Sequence, residues 1–251
     1  MKRMNKFFFI ALSFTVFNGL CGILGISLAL DSKFSQTAPF APVQLIILGA
    51  IFDFLDGKIA KIADSESTIG LYADSVCDIL TFAVLPGILL INAPLVFNKD
   101  PALSNSFTLL IAIFYSLAGW ARLVRFTFYP TKIYFEGFPS PAAALLVGSS
   151  AVLARFRELN WIFWPSGELL TFITVAAAIL MVLRIPYPTP KRKMTSDTTF
   201  IIIAGIVVII FFFIPSLITL AGVLFIATLY TILGPYYLQI TEKRNKPIIK
   251  K

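Results

Sequence analysis

The chain has 251 residues, 58% of them apolar and 14% charged, with a formal net charge of +8 and no histidine. A soluble domain carries about a quarter charged residues, so this composition, with a mean hydropathy of +0.86, excludes an ordinary soluble domain and fits an integral membrane protein. Without histidine there are no imidazole bases, proton shuttles or imidazole metal ligands, which leaves oxygen donors and hard cations.

About 20 apolar residues cross a bilayer. Candidate spans run, in chain order, over 7–30, 42–64, 69–96, 104–126, 139–156, 161–183, 198–214 and 216–240. The first follows the basic segment MKRMNK and imitates a signal peptide, but no small-x-small cleavage site follows it, and it is read as a retained span. Cys21 and Cys77 both lie in apolar segments and read as small buried hydrophobes, a disulfide being the lesser alternative. The fifth and seventh spans are short, and only Pro215-Ser216 separates the last two, so six or seven spans remain open beside the expected eight. Trp161 and Trp164 begin the sixth span, as in an interfacial aromatic belt. The expectation is an all-α polytopic membrane helix bundle with a core over 1–193, followed by a transmembrane hairpin and basic tail over 194–251.

The positive-inside rule tests this layout. With the N-terminus inside, 17 of the 21 Lys and Arg fall at inside ends and loops; only Lys33, Lys99, Arg155 and Arg157 fall outside. That asymmetry supports an even number of spans with both termini cytoplasmic. Basic residues at span ends set topology and meet anionic headgroups, so the net charge calls for no nucleic acid.

The chemistry is concentrated in the second and third spans. Asp53, Asp56, Gly57, Ala60 and Lys61 fall at i, i+3, i+4, i+7 and i+8, one stripe of a helix. Gly70, Asp74 and Asp78 recur every four residues on the next. The link 64–69 is short and polar, so the two helices are antiparallel neighbours whose acidic faces can converge. Asp64 and Glu66 within it read as solvated turn residues. Helix packing through small residues would account for Gly57, Ala60 and Gly70, but not for four carboxylates at bilayer depth, which are expensive there and repel one another. One divalent cation, or two about 4 Å apart, resolves this and points to phosphate chemistry. A divalent-cation transporter is the alternative of another class; it would spread its acids along a path through several spans, whereas here they cluster on two.

The pattern D-x2-D-G-x2-A-R-x8-G-x3-D-x3-D is the signature of the CDP-alcohol phosphotransferases, and this chain resembles it at Asp53, Asp56, Gly57, Ala60, Gly70, Asp74 and Asp78 with the same spacing. It departs at Lys61, where the family usually has Arg; lysine keeps the charge but not the bidentate fork. Asn18-Gly-Leu-Cys21-Gly22, Ala121-Arg122-Leu-Val-Arg125-Phe126, Gly137-Phe-Pro139-Ser-Pro141 and Met181-Val-Leu-Arg184-Ile-Pro-Tyr187 resemble segments of the bacterial and archaeal phosphatidylserine synthases within that family. A second departure is Leu12, where an Asn is often found. The resemblance covers roughly residues 10–193, leaving the last two spans outside a six-helix family core.

This resemblance implies a membrane enzyme joining CDP-diacylglycerol and L-serine to give phosphatidylserine and CMP at the cytoplasmic face of the cell membrane, as a homodimer among membrane lipids. It implies Mg2+ or Mn2+, as a pair of ions, on Asp53, Asp56 and Asp74 with Asp78 completing the set. Asp78 would act as general base on the serine hydroxyl. Gly57 and Ala60 would leave room for the cytidine, Lys61 and Gly70 would border the phosphates, and Asn18 would contact the nucleotide or a neighbouring helix. Arg122 and Arg125 would bind the serine carboxylate or a lipid phosphate, or else anchor a helix end at the headgroups. Pro139 and Pro141 could serve only to begin the fifth helix. Choline, inositol phosphate and glycerol 3-phosphate are alternative acceptors, and the donor lipid could be of archaeal type.

Overall fold

Inside a bilayer every backbone N–H and C=O needs a partner within the chain, and apolar runs such as these meet that demand as helices. The computed structural model describes residues 6–31, 36–62, 67–93, 101–128, 135–156, 166–187, 206 and 209–244. It is nearly all helical: α1 (Lys6–Leu30), α2 (Ala41–Ile62), α3 (Thr68–Asp78), a π-helical turn (Ile79–Val84), α4 (Leu85–Ile91), α5 (Pro101–Phe128), α6 (Ser140–Ala154), α7 (Gly167–Val182) and α8 (Leu217–Arg244). Among the described residues four helical stretches, Phe8–Leu30, Thr68–Ile91, Ser104–Phe128 and Leu217–Tyr236, are long and apolar enough to cross a membrane; Ser140–Ala154 and Gly167–Val182 are shorter apolar helices. Asp64, Glu66, Trp161, Trp164, residues 198–205 and the tail beyond Arg244 lie outside the described residues.

Helix boundaries follow local chemistry. Ser67 caps α3, its Oγ accepting from Gly70 N at 3.0 Å, and Ser166 caps α7 by accepting from Leu169 N at 3.2 Å. Pro139 is the N-cap of α6, with Pro141 in the first turn, where a missing N–H goes unneeded. The third span ends at Ile91 rather than 96, since Ala93 precedes Pro94 and such a residue avoids the helical region. Thr219 N donates to Ser216 Oγ at 3.3 Å, which starts α8 at the expected Pro215-Ser216 break.

One helix register was not expected. Leu85 N donates to Leu80 O, five residues back, and this π-helical turn joins α3 to α4. Pro86 supplies the reason. It has no N–H for Phe82 O, and its ring crowds the carbonyl four residues earlier. The buried Tyr115 hydroxyl of α5 donates to Phe82 O instead, at 3.1 Å, and Ser116 Oγ donates to Ala83 O at 3.1 Å.

The all-α expectation also misses one small ladder. Phe135–Glu136 (β1) pairs antiparallel with Pro186–Tyr187 (β2). In β2, Tyr187 precedes a proline, which holds it extended. Between β1 and α6, Gly137 has φ 82°, and a Cβ there would sit 2.8 Å from Leu183 O. Both facts require glycine.

α1 is the central staple. It packs along α2 and against α3, the π turn and α4. Its small face makes this possible: a Cβ on Gly19 would lie 2.7 Å from Cys77 Sγ, and one on Gly22 would lie 2.9 Å from Thr81 N. Cys21 and Cys77 are free cysteines. At the other edge α8 packs on α6 and touches β2.

Two glycine substitutions should separate packing from open space. Gly22→Ala meets backbone that cannot yield and is expected to destabilise by about 1–3 kcal/mol, read as a lower melting temperature in detergent. Gly57→Ala, whose Cβ meets nothing within 4 Å, should leave the melting temperature unchanged or slightly raised, since alanine is the better helix former.

Candidate active site

Asp53 and Asp56 lie one turn apart on α2, and Asp74 faces them from α3. The three carboxylates offer oxygens that all lie within 4.8 Å of one another. Asp56 is held from α1, where the buried Thr15 Oγ1 donates to its Oδ2 at 2.7 Å. Asp74 Oδ1 is buried without a hydrogen-bond partner. An orphaned anionic oxygen beside two further carboxylates is what a hard divalent cation satisfies, and a donor set made only of oxygen suits Mg2+ or Mn2+ chemistry. The residues present therefore fit a metal ion.

Two of the three carboxylates, Asp56 and Asp74, line a cleft of about 530 Å3. Asp56, Gly57, Ala60, Lys61, Gly70 and Asp74 all line it, so six of the residues singled out by spacing share one wall system. Thr15, Ser67 and Thr68 add hydroxyls to it. Phe8, Leu12, Leu71 and Phe126 form an apolar side. Leu12, the departure from the usual Asn, thus sits in the cleft itself. Gly57 leaves open space that any side chain would enter.

Asp78 stands outside the three-carboxylate group. It is buried at 8% exposure, and its Oδ1 accepts from Asn18 Nδ2 at 2.8 Å. Asn18 is held in turn: Thr81 Oγ1 donates to its carbonyl at 2.9 Å, and its own Oδ1 is buried and unpartnered. Arg122, 5% exposed, lies close enough for its charge to act on Asp78 and Asp53. Its Nη1 donates to Ser140 Oγ at 2.6 Å, while its Nε is buried with no partner. Arg125 differs: its Nη1 donates to Val182 O at 2.6 Å and its Nη2 to Glu136 O at 2.9 Å. Backbone carbonyls take up its guanidinium.

Thr15 and Ser140 were missed by sequence reasoning. Thr15 had a signal, since Ala11, Thr15 and Asn18 fall at i, i+4 and i+7 on one face of a span. Ser140 had none beyond its place between two prolines.

The profile of the CDP-alcohol phosphatidyltransferase family matches residues 8–183. Among curated relatives, the CDP-diacylglycerol–serine O-phosphatidyltransferase of Mycobacterium tuberculosis is 31% identical over 181 residues, which is 68% of this chain but only 58% of that protein's length. The protein of the same name from Methanocaldococcus jannaschii is 30% identical over 194 residues, 77% of this chain and 81% of its own. An archaetidylserine synthase of Methanothermobacter thermautotrophicus is 28% identical over 190 residues, 74% of this chain and 72% of its own. The match takes in both aspartate helices, the cleft between them and the two arginines of α5, and on that ground the chain belongs to the CDP-alcohol phosphatidyltransferase family.

Proposed function

We propose that this chain is an integral membrane phosphatidyltransferase that makes phosphatidylserine and CMP from CDP-diacylglycerol and L-serine. The observation that carries the reading is the carboxylate triad, with its unpartnered Asp74 Oδ1, facing a cleft that Gly57 leaves clear. Names of relatives support the acceptor, since those quoted from Mycobacterium tuberculosis and Methanocaldococcus jannaschii name serine.

Asp53, Asp56 and Asp74 hold the divalent cations, taken as a pair of Mg2+ or Mn2+. When bound, such ions neutralise charge on a pyrophosphate and on its leaving phosphate. Gly57 and Ala60 admit the cytidine, and Lys61 and Gly70 border the phosphates. Asp78 takes the proton of the serine hydroxyl as that oxygen bonds to the lipid-side phosphorus and the bond to CMP breaks. Its hydrogen bond from Asn18 fixes the carboxylate for that task. Arg122, with a free Nε inside the protein, receives the serine carboxylate. Arg125 serves the same region by tying the loop before α6 to the end of α7.

The chain crosses the cell membrane eight times, with both termini and the cleft on the cytoplasmic side, as the distribution of Lys and Arg implies. Residues 1–193 form the catalytic core and 194–251 a hairpin and basic tail. Acyl chains stay in the bilayer while the headgroup enters the cleft past its apolar side.

The deciding experiment is an acceptor panel on purified protein with CDP-diacylglycerol, following CMP release with serine, choline, inositol phosphate and glycerol 3-phosphate. Serine should exceed every other acceptor by at least about tenfold in kcat/KM; faster turnover with another alcohol overturns the acceptor, and metal transport without CMP release overturns the enzyme. Asp78→Asn should lower kcat by about 10²- to 10⁴-fold while Mn2+ affinity, measured calorimetrically, stays near wild type, whereas Asp74→Asn should lose both. Thr15→Val should weaken Mn2+ binding by about 10- to 100-fold, because the hydroxyl orients Asp56.

A further inference from the structure

The family profile ends at residue 183, yet the structure brings a later helix to the rim of the site. α8 packs on α6 and on β2. Its Tyr230 ring lies 5.8 Å from Tyr187 and 6.3 Å from Phe138, and those two rings lie 5.4 Å apart. Phe138 and Tyr187 are both fully buried. The Tyr187 hydroxyl donates to Thr231 O at 3.3 Å, the residue next to Tyr230. This aromatic trio grips the segment that leads into α6. Phe138 N donates to Leu180 O at 2.9 Å and Gly137 N to Ile185 O at 2.8 Å, so the segment has no slack. Two residues beyond Phe138 stands Ser140, the hydroxyl that accepts from Arg122. Tyr230 itself lies near enough to Arg122 to interact with its charge.

We propose that Tyr230 is a positioning residue for Arg122: a helix outside the family match clamps the Phe138–Ser140 segment through stacked rings and so fixes where the guanidinium points. Aromatic pairs in contact attract beyond the area they bury, so the three rings hold the segment that carries the Ser140 hydroxyl. The core then acquires its acceptor side only when the C-terminal helix is docked. The inference rests on the acceptor role given to Arg122 only for the kinetic parameter in which the effect shows.

The test uses the full chain in detergent or in vesicles, with CDP-diacylglycerol, serine and Mn2+. Tyr230→Ala should raise the KM for serine by about tenfold, the scale of a small misplacement of a binding group, leaving kcat, the KM for CDP-diacylglycerol and the Mn2+ affinity within about twofold. Tyr230→Phe keeps the ring and should restore the serine KM. Arg122→Lys combined with Tyr230→Ala should show less than the product of the two single effects, as coupled residues do. An unchanged serine KM in Tyr230→Ala, single effects that multiply, or a Phe variant as impaired as Ala each overturn the clamp. If Tyr230→Ala does not fold, Tyr230→Leu carries the same comparison. If Arg122→Lys moves the KM for CDP-diacylglycerol instead, the acceptor reading has failed, and the clamp stands only if Tyr230→Ala moves that same parameter.

Discussion

Negative charge gathered where water is scarce is the constraint around which this molecule is organised. Three carboxylates on two helices of a largely apolar chain bring oxygens within 4.8 Å of each other. Such a group repels itself unless countercharge enters, and low dielectric makes both the repulsion and the remedy strong. Convergence of the acids needs α2 and α3 to face each other across the cleft, and both rest on α1. That helix can come close because Gly19 and Gly22 offer no side chain to Cys77 and Thr81. Two of its polar residues then hold acids, Thr15 on Asp56 and Asn18 on Asp78. A helix with no carboxylate of its own thus sets the geometry of the two that have them.

The acidic residues do not form one undivided group. Asp53, Asp56 and Asp74 face each other beside the cleft, while Asp78 is turned to Asn18 and lies within reach of the Arg122 charge. Two chemical environments therefore adjoin: one of three clustered carboxyl groups, the other an amide, a guanidinium and a single carboxyl group. A transfer between a diphosphate and an alcohol needs both kinds, one for the group that leaves and one for the group that arrives.

Much of this was legible in the chain because charge inside apolar runs is rare and helical spacing is rigid. The intervals of Asp53, Asp56 and Asp74 put their carboxylates on helix faces able to converge, and in the structure their oxygens do lie together. The helices α1, α2, α5 and α6 also begin and end within three residues of the expected spans. What stayed hidden depends on tertiary contact. Nothing local marks Ser140 as the partner of Arg122, or shows that Arg125 spends its donors on carbonyls from α7 and β1. The two-residue ladder of Phe135–Glu136 with Pro186–Tyr187 joins segments some fifty residues apart, too short to carry an alternating pattern. Asp78 was grouped with its neighbours by period alone; its distinct surroundings come from Asn18, which no interval within α3 could disclose.

The wide turn at Ile79–Val84 has a consequence for how this span can vary. A turn holding one residue more than its neighbours shifts the angular phase of everything after it, so the acidic half and the apolar half of Thr68–Ile91 are indexed separately. Losing a single residue within the wide turn would restore uniform pitch and leave Leu85–Ile91 facing as it does now, because six residues at the wider pitch sweep nearly the same angle as five at the ordinary one. Losing a second would swing Leu85–Ile91 by about 100° around the axis relative to Asp74 and Asp78, and Leu85, Leu89 and Leu90, now buried, would turn toward lipid.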